Sequence, residues 1–269
     1  MKLFISRVLI FLSIISSLIL IVCSIFPSEE YRKLTLLNEK ENMIIFMGDS
    51  KSLVALDYDL LKEHYPNRKI INISMWAQNP VNNFYLFKEK LKNLNNCLII
   101  YSLTYAHIIN RVNNNRSDIL HFITPQFKTY PYKYTTNGFA SINEDLDFKE
   151  RDTKKILEYY NNFETNYYND FNYEYLIKIK KIVEKDNIFL TSQFTHTTYH
   201  DSILNLFNNY TNFKSLINTS YNIDFGLINK LNHTKYWYNS NHLNSSGSNL
   251  FTPILINKLD SILYIKNSK

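Results

Sequence analysis

The chain opens with an apolar stretch that has the length of a membrane span. Residues 8–26 are nineteen positions without a charge, and Lys2 and Arg7 precede them. At about 1.5 Å per helical residue, this segment is long enough to cross the hydrocarbon core of a bilayer. Basic residues ahead of such a segment favour a cytoplasmic amino terminus. We therefore predict a membrane anchor at 1–27 that contacts lipid through residues 8–26 and places the remaining chain on the extracytoplasmic side.

A cleaved signal peptide is the alternative interpretation of the same stretch. No small residues with the spacing of a cleavage site stand out before Pro27, which favours an uncleaved anchor. Arg32 and Lys33 beyond the segment weaken the charge asymmetry that sets its orientation. Because residues 28–41 are rich in charge, we predict a juxtamembrane linker there.

From residue 42 onward, short apolar runs alternate with amphipathic stretches. This alternation predicts βαβ units and a parallel sheet, so we expect an α/β domain over 42–269. The strand candidates are 43–47, 70–74, 97–103, 188–192 and 221–225, and the helix candidates are 52–65, 81–94, 153–185, 199–209 and 246–264. The stretch at about 105–150 is too long for an ordinary connection, so it is either a functional lid or a loose insertion.

The composition narrows the classes of function. The 269 residues fit one domain, and 45% hydrophobic residues supply ample material for a core. With 4 glycines, the chain has neither a G-x-G-x-x-G loop nor a P-loop. The net charge is +6, but the basic residues do not cluster, so we expect no nucleic-acid partner.

We also expect neither a metal nor an organic cofactor. His196 and His200 have the i,i+4 spacing that could hold a metal on a helix. The Glu of the H-E-x-x-H motif is missing, however, and no third ligand is evident. A loop after the fourth predicted strand is the ordinary interpretation of this segment.

The first segment with candidate chemistry is Gly48-Asp49-Ser50. It follows the first predicted strand and leads into a helix. A serine at this position lies at the amino terminus of the helix, where backbone N–H groups can stabilise negative charge. Asp and Ser are also common capping residues, so a purely structural cap is the alternative.

The second such segment spans residues 239–247, contains His242 and precedes the last predicted helix. A serine nucleophile needs a general base, and the fold can bring a histidine to it from any part of the chain. A single histidine before a helix is otherwise an ordinary surface or capping residue. The pairing with Gly48-Asp49-Ser50 is what suggests catalysis.

Together the two segments resemble the nucleophile block and the late histidine block of the SGNH (GDSL-type) hydrolase superfamily. The resemblance covers about residues 42–265. The sequence of residues 242–247 is similar to the form found in membrane-anchored or exported proteins that acylate cell-surface polymers. The fold implied by this resemblance is a three-layer, flavodoxin-like α/β domain with about five parallel strands.

The resemblance also implies roles for individual residues. Ser50 would be the nucleophile, its backbone N–H would contribute to the oxyanion hole, and His242 would be the general base. Asp49 would brace the turn rather than react, with Gly48 beside it.

Three positions depart from the family pattern. The catalytic Asp of the family, three residues before the His, is Asn239 here, which can hold the imidazole but adds no charge. The oxyanion-hole glycine of the second block is best matched by Ala77, and the side-chain donor of the third block by Thr104. A Ser–His dyad, a backbone carbonyl or another acid such as Asp224 are alternatives to Asn239.

From this resemblance we expect a membrane-anchored serine esterase or O-acyltransferase. The implied partner is an envelope polysaccharide or another acylated glycan, and transfer would require a membrane acyltransferase as acyl donor. The alternative, favoured by Asn239, is a catalytically silent module that binds glycan or scaffolds a membrane acylation complex. Catalysis requires a hydrogen bond between Ser50 and His242, with the other ring nitrogen on an acceptor.

Two further features flank the candidate segments. Trp76, Trp237 and Tyr238 either stack on sugar rings or pack in the interior. Gly48 and Gly247 are two of the four glycines, and their presence in these segments suggests backbone geometry that only glycine allows.

Overall fold

The computed structural model describes residues 1–25, 29–37, 42–76, 78–94, 97–103, 132–146, 165–182, 187–191, 221–222, 231, 233–239 and 242–267. Its strands are β1 (Met43–Met47), β2 (Lys69–Asn72), β3 (Cys97–Leu103), β4 (Tyr132–Tyr134), β5 (Ala140–Ile142), β6 (Asn187–Thr191), β7 (Tyr221–Asn222), β8 (Trp237–Asn239) and β9 (His242–Leu243). Its α-helices are α1 (Lys2–Ile25), α2 (Glu29–Leu36), α3 (Ser50–Val54), α4 (Tyr58–His64), α5 (Pro80–Leu91), α6 (Thr165–Ile182) and α7 (Ser245–Asn267).

Helix α1 is long and apolar enough to cross a membrane. Its apolar segment, Leu3–Val22, is 20 residues long, and none of its most hydrophobic window is buried against the rest of the chain. Such an exposed apolar surface is suited to lipid rather than to water.

The main sheet has five parallel strands in the order β2-β1-β3-β6-β7. Numbered by parallel strands along the chain, this order is 2-1-3-4-5, which is the flavodoxin-like arrangement. The predicted α/β class and the expected number of parallel strands are therefore confirmed. The strand order reverses between β1 and β3, and open α/β sheets bind their ligands at the carboxyl ends of strands beside such a reversal.

Helices cover both faces of the sheet, which gives the three layers. Strand β1 is buried and apolar along its whole length, as expected of a central parallel strand with both faces covered. Met43, Ile45 and Met47 pack in the core that includes α5 and α6. Ile44 and Phe46 pack in the core that includes α4 and α7.

The single helix predicted at 52–65 is wrong, because the structure has two helices there, α3 and α4. Asp57 lies between them and caps α4, its carboxylate accepting a hydrogen bond from the Leu60 N–H at 3.0 Å. The Asp57 N–H donates to the Thr252 hydroxyl at 2.8 Å, which ties the break to α7. The predicted helix at 199–209 lies outside the described residues.

Helix α2 occupies much of the segment 28–41, predicted as a linker. Its neighbour Leu37 is buried in the core with α5, and Lys33 is fully buried. The predicted insertion at about 105–150 contains the β4–β5 hairpin, whose turn includes Gly138 at a φ of 83°, a conformation that favours glycine. The predicted domain boundaries stay a prediction.

Candidate active site

Ser50 lies at the carboxyl end of β1, where the strand turns into α3. The Asp49 carboxylate accepts a hydrogen bond from the Lys51 N–H at 2.9 Å and so caps the helix. The Lys51 ammonium lies 3.9 Å from the other carboxylate oxygen of Asp49. The Asp49 cap uses the Lys51 N–H, and a role of the Ser50 N–H in the oxyanion hole stays a prediction.

Gly48 lets this turn approach its neighbours closely. A Cβ at this position would lie 2.6 Å from the Ser52 hydroxyl and 3.1 Å from the Ser102 carbonyl oxygen. Its φ lies outside the left-handed region. The expectation of backbone geometry unique to glycine is therefore wrong here, and the reason for glycine is space. The same holds at Gly247, where a Cβ would lie 2.2 Å from the Tyr236 carbonyl oxygen.

His242 is presented by the short antiparallel pair β8–β9, in which it lies opposite Asn239. The Asn244 amide donates to the Lys235 carbonyl at 2.6 Å, and its oxygen accepts from the Gly247 N–H at 3.0 Å. These bonds fix the chain between β9 and the start of α7. The imidazole is 2% exposed, so it is held in one place and largely shielded from water.

The structure brings Ser50, His242 and Asn239 together, although 192 positions separate the serine from the histidine. The Ser50 hydroxyl lies 2.9 Å from Nε2 of His242. On the other side of the ring, Nδ1 lies 2.9 Å from the Asn239 amide oxygen. This series of a hydroxyl, an imidazole and an acceptor is the arrangement by which serine hydrolases activate their nucleophile.

Asn239 sets the tautomer of the ring. With the Asn239 amide oxygen facing the ring, and because that oxygen only accepts hydrogen bonds, Nδ1 carries the proton and donates a hydrogen bond to Asn239. Nε2 then carries no proton, and its lone pair accepts a hydrogen bond from the Ser50 hydroxyl. This is the orientation that a general base requires. Asn239 thus gives the imidazole a hydrogen-bond acceptor that carries no charge.

The three flanking aromatic residues differ in their surroundings. Trp76 lies over the His242 ring, with ring centroids 4.9 Å apart and an interplanar angle of 9°. Trp237 is 2% exposed and donates its indole N–H to the Leu231 carbonyl at 2.7 Å. Because its ring is enclosed, Trp237 packs in the interior, and the alternative that it stacks on a sugar is wrong. Tyr238 is half-buried and packs on the cluster that contains Leu53.

Asn72, at the end of β2, supports the same edge of the sheet. Its side chain donates to the Ser52 carbonyl at 3.1 Å and accepts from the Ser74 N–H at 2.9 Å. The Lys33 ammonium donates to the Asn72 carbonyl at 2.6 Å and to the Gly138 carbonyl. Helix α2 is thereby connected to Asn72, whose side chain in turn bonds to α3.

Burial governs two ionisable groups near this edge. It lowers the pKa of Lys33 to about 7, with Glu29 opposing the shift and Arg32 adding to it. Burial also raises the pKa of Tyr101, while a hydrogen bond from Asn83 opposes the shift. Neither group was predicted from the sequence, because neither belongs to a motif.

The remaining predicted positions lie outside the described residues: Ala77, Thr104, His196, His200 and Asp224. Within the described part of the chain, no three His, Cys, Asp or Glu side chains are grouped so that they could hold a metal ion.

The fold and the site define a flavodoxin-like α/β protein with a serine–histidine site of the serine-hydrolase kind. In both respects it resembles the SGNH (GDSL-type) hydrolases. No protein-family model matches the sequence, and no curated protein matches it significantly.

Three of the solved structures that are similar to the chain can be named. They are a lipase/acylhydrolase from Enterococcus faecalis (12% identity, 82% of this chain and 96% of that chain, TM-score 0.43), a member of the lipolytic protein G-D-S-L family from Veillonella parvula (12%, 80% and 96%, 0.43) and a candidate platelet activating factor from Streptococcus pneumonia (13%, 93% and 98%, 0.46). Because these TM-scores lie below 0.5, the interpretation of the site rests on its own geometry.

Proposed function

We propose that this protein is a membrane-anchored serine esterase or O-acyltransferase of the SGNH type. The observation that carries the proposal is the hydrogen-bonded series from Ser50 through His242 to Asn239, with both distances at 2.9 Å. A buried ring held at both nitrogens, against a serine at the end of a parallel strand, has the geometry of a preorganised base and nucleophile.

In the proposed reaction, the Ser50 oxygen attacks the carbonyl carbon of an ester, and the hydroxyl proton passes to Nε2 of His242. The negative charge that develops on the carbonyl oxygen accepts a hydrogen bond from the Ser50 N–H. When the intermediate collapses, His242 returns the proton to the departing alcohol, and the acyl group remains on Ser50. Water or a sugar hydroxyl then attacks the acyl-enzyme by the reverse sequence of proton transfers. The scheme requires no cofactor.

The proposed substrate is an acyl ester of a cell-envelope polysaccharide or of another acylated glycan. Two features support this choice: the similarity of residues 242–247 to proteins that acylate surface polymers, and the apolar helix α1. In the proposed topology, the amino terminus is cytoplasmic and the domain is extracytoplasmic. Transfer, as opposed to hydrolysis, would draw its acyl group from a membrane acyltransferase.

A second candidate function follows from Asn239, which places a neutral amide where the family has an acid. The domain would then bind glycan, or scaffold an acylation complex, without catalysing a reaction. This candidate has the same fold and the same substrate class, so only the reactivity of Ser50 separates the two.

The deciding experiment is labelling of the full-length protein in detergent with a fluorophosphonate, together with turnover of p-nitrophenyl acetate. We expect labelling and turnover in the wild type and loss of both in Ser50→Ala. The matched control is Ser52→Ala, because Ser52 is a second buried serine of α3 whose hydroxyl has no hydrogen-bond partner. Labelling that persists in Ser50→Ala, or is absent from the folded wild type, would favour the silent module.

A further inference from the structure

Trp76 stacks on the proposed general base. The indole and the His242 imidazole are nearly parallel, at 9°, with centroids 4.9 Å apart. Two backbone bonds hold the loop that leads to Trp76. The Ile73 N–H donates to the Phe46 carbonyl at 2.8 Å, and the Met75 N–H to the Gly48 carbonyl at 3.4 Å. The loop after β2 therefore follows the end of β1 as far as the nucleophile.

The contact affects how stable the positively charged form of the proposed base is. In the proposed function, His242 becomes an imidazolium each time it takes the Ser50 proton. An imidazolium that is 2% exposed loses most of its hydration, which is unfavourable without a compensating group. Asn239 offers the dipole of an amide oxygen rather than the full charge of a carboxylate. Some other group must therefore offset part of the desolvation.

The face of an aromatic ring can offset part of this desolvation. A cation within about 6 Å of a tryptophan ring centroid is attracted by the ring quadrupole, most strongly where water is excluded. The stack of Trp76 on His242 meets this condition. The partly buried indole also packs against the apolar cluster of Leu53, Val54, Ala140 and Ile142, which helps to hold it in place.

We propose that Trp76 stabilises the imidazolium form of His242 and so supplies part of the stabilisation that a carboxylate at position 239 would give. This inference rests on the proposed function for its catalytic meaning, but the contact acts on the ring whether or not substrate is present. Trp76 is thus a positioning and electrostatic residue for the base, rather than a platform for sugar.

The titratable groups around His242 are the same in the wild type and in a Trp76 variant. Among the described residues, the titratable groups on the elements packed against β9 are Asp49 and Lys51 at α3 and Tyr238 on β8, and Glu144 accepts a hydrogen bond from Ser246 in the first turn of α7. The first two turns of α7 and the loop that carries Trp76 have no titratable side chain. A substitution at Trp76 leaves all of these groups in place, so a change in the titration of His242 reports the loss of the indole.

The test is a titration of the full-length protein in detergent, with ¹⁵N-labelled histidine followed by NMR. The His242 signal is assigned by its disappearance in His242→Gln. We expect the titration midpoint of His242 to fall by about half a pH unit in Trp76→Leu, and by less in Trp76→Phe. An unchanged midpoint in both variants would overturn the inference. If Trp76→Leu does not fold, the comparison of wild type with Trp76→Phe still decides it.

A rescue experiment separates charge from packing. If Trp76 acts through the imidazolium, Asn239→Asp should restore both the titration midpoint and the fluorophosphonate labelling rate of Trp76→Leu. Restoration of the midpoint without restoration of the rate would show that the charge effect of Trp76 does not account for its effect on the reaction, and would overturn the catalytic part of the proposal. The NMR titration uses no substrate. Absence of Ser50-dependent labelling in the wild type would therefore count against the proposed function and leave the titration result standing.

Discussion

The amide oxygen of Asn239 accepts a hydrogen bond from Nδ1 of His242 at 2.9 Å, in the place where a serine hydrolase of this pattern has a carboxylate. The hydrogen bonds that the proposed base requires are thus present, but the charge of a carboxylate beside it is not. In the serine proteases, the matching replacement of Asp by Asn is harmful because it favours the wrong tautomer. Here the amide oxygen faces the ring, so the tautomer is the productive one.

We therefore expect Asn239→Asp to increase the rate of p-nitrophenyl acetate turnover. A carboxylate beside the ring favours its charged form, and the expected gain is about 10- to 100-fold in kcat/KM. Asn239→Ala removes the acceptor and frees the ring, so its rate should fall about tenfold or more. Circular dichroism of both variants is the control for folding. A folded Asn239→Asp protein with unchanged turnover would contradict the electrostatic account of this position.

Close packing around Gly48 should make a larger residue at this position destabilising. In Gly48→Ala the new methyl group meets the Ser52 hydroxyl at 2.6 Å, and we expect a loss of about 1–3 kcal/mol in the free energy of unfolding. The Ser52 hydroxyl has no hydrogen-bond partner, so Ser52→Ala alone should be nearly neutral. The double variant should recover part of the loss, as measured by chemical denaturation in detergent. Simple additivity of the two single changes would contradict this explanation.

The candidate pair could be predicted from the sequence because it depends on local signals. Gly48-Asp49-Ser50 follows an apolar run, and His242 precedes an amphipathic one, so both fall at element boundaries that the hydrophobic pattern marks. Parallel strands then bring their carboxyl ends to one edge of the sheet. The hydrophobic pattern does not predict that the helical segment is interrupted between α3 and α4. That break depends on Asp57 bonding to Thr252, 195 positions away.

The supporting contacts could not be predicted for the same reason. Lys33 looks like one more charge in a charged segment, yet its ammonium contacts carbonyls of Asn72 and Gly138, 39 and 105 positions further on. The sequence allows two interpretations of Trp76, sugar stacking or interior packing, and indicates no stack on the proposed base. Contacts between side chains so far apart leave no periodicity in a single sequence, and only the folded chain contains them.

The apolar helix α1 leads to a prediction about location. We expect the full-length protein to remain with membranes after alkaline carbonate extraction, and its intact mass to include residues 1–27. Ile14→Lys together with Leu18→Lys should release it, because each charge at the centre of a membrane helix is unfavourable by about 2.5–3.5 kcal/mol. Ile14→Val with Leu18→Ile is the matched control. A mature protein that lacks the segment would instead show a cleaved signal peptide.

Lys33 connects the stability of the domain to pH. Its pKa is lowered from 10.5 to about 7 in the folded state, chiefly by burial. Between these two pH values the unfolded chain binds a proton that the folded chain does not, so the free energy of unfolding should rise with pH. The slope due to this group approaches about 1.4 kcal/mol per pH unit within that window.

The measurement is chemical denaturation of the full-length protein in detergent at several pH values between 7 and 9.5. Lys33→Met removes the titrating group and leaves two buried carbonyls without their donor, so it should be less stable at pH 9.5 and should lose this part of the slope. Lys181→Met, which changes an exposed lysine of α6, should keep the wild-type slope. Equal slopes in wild type and Lys33→Met would mean that Lys33 remains charged in the folded protein, held by its carbonyl partners and Glu29.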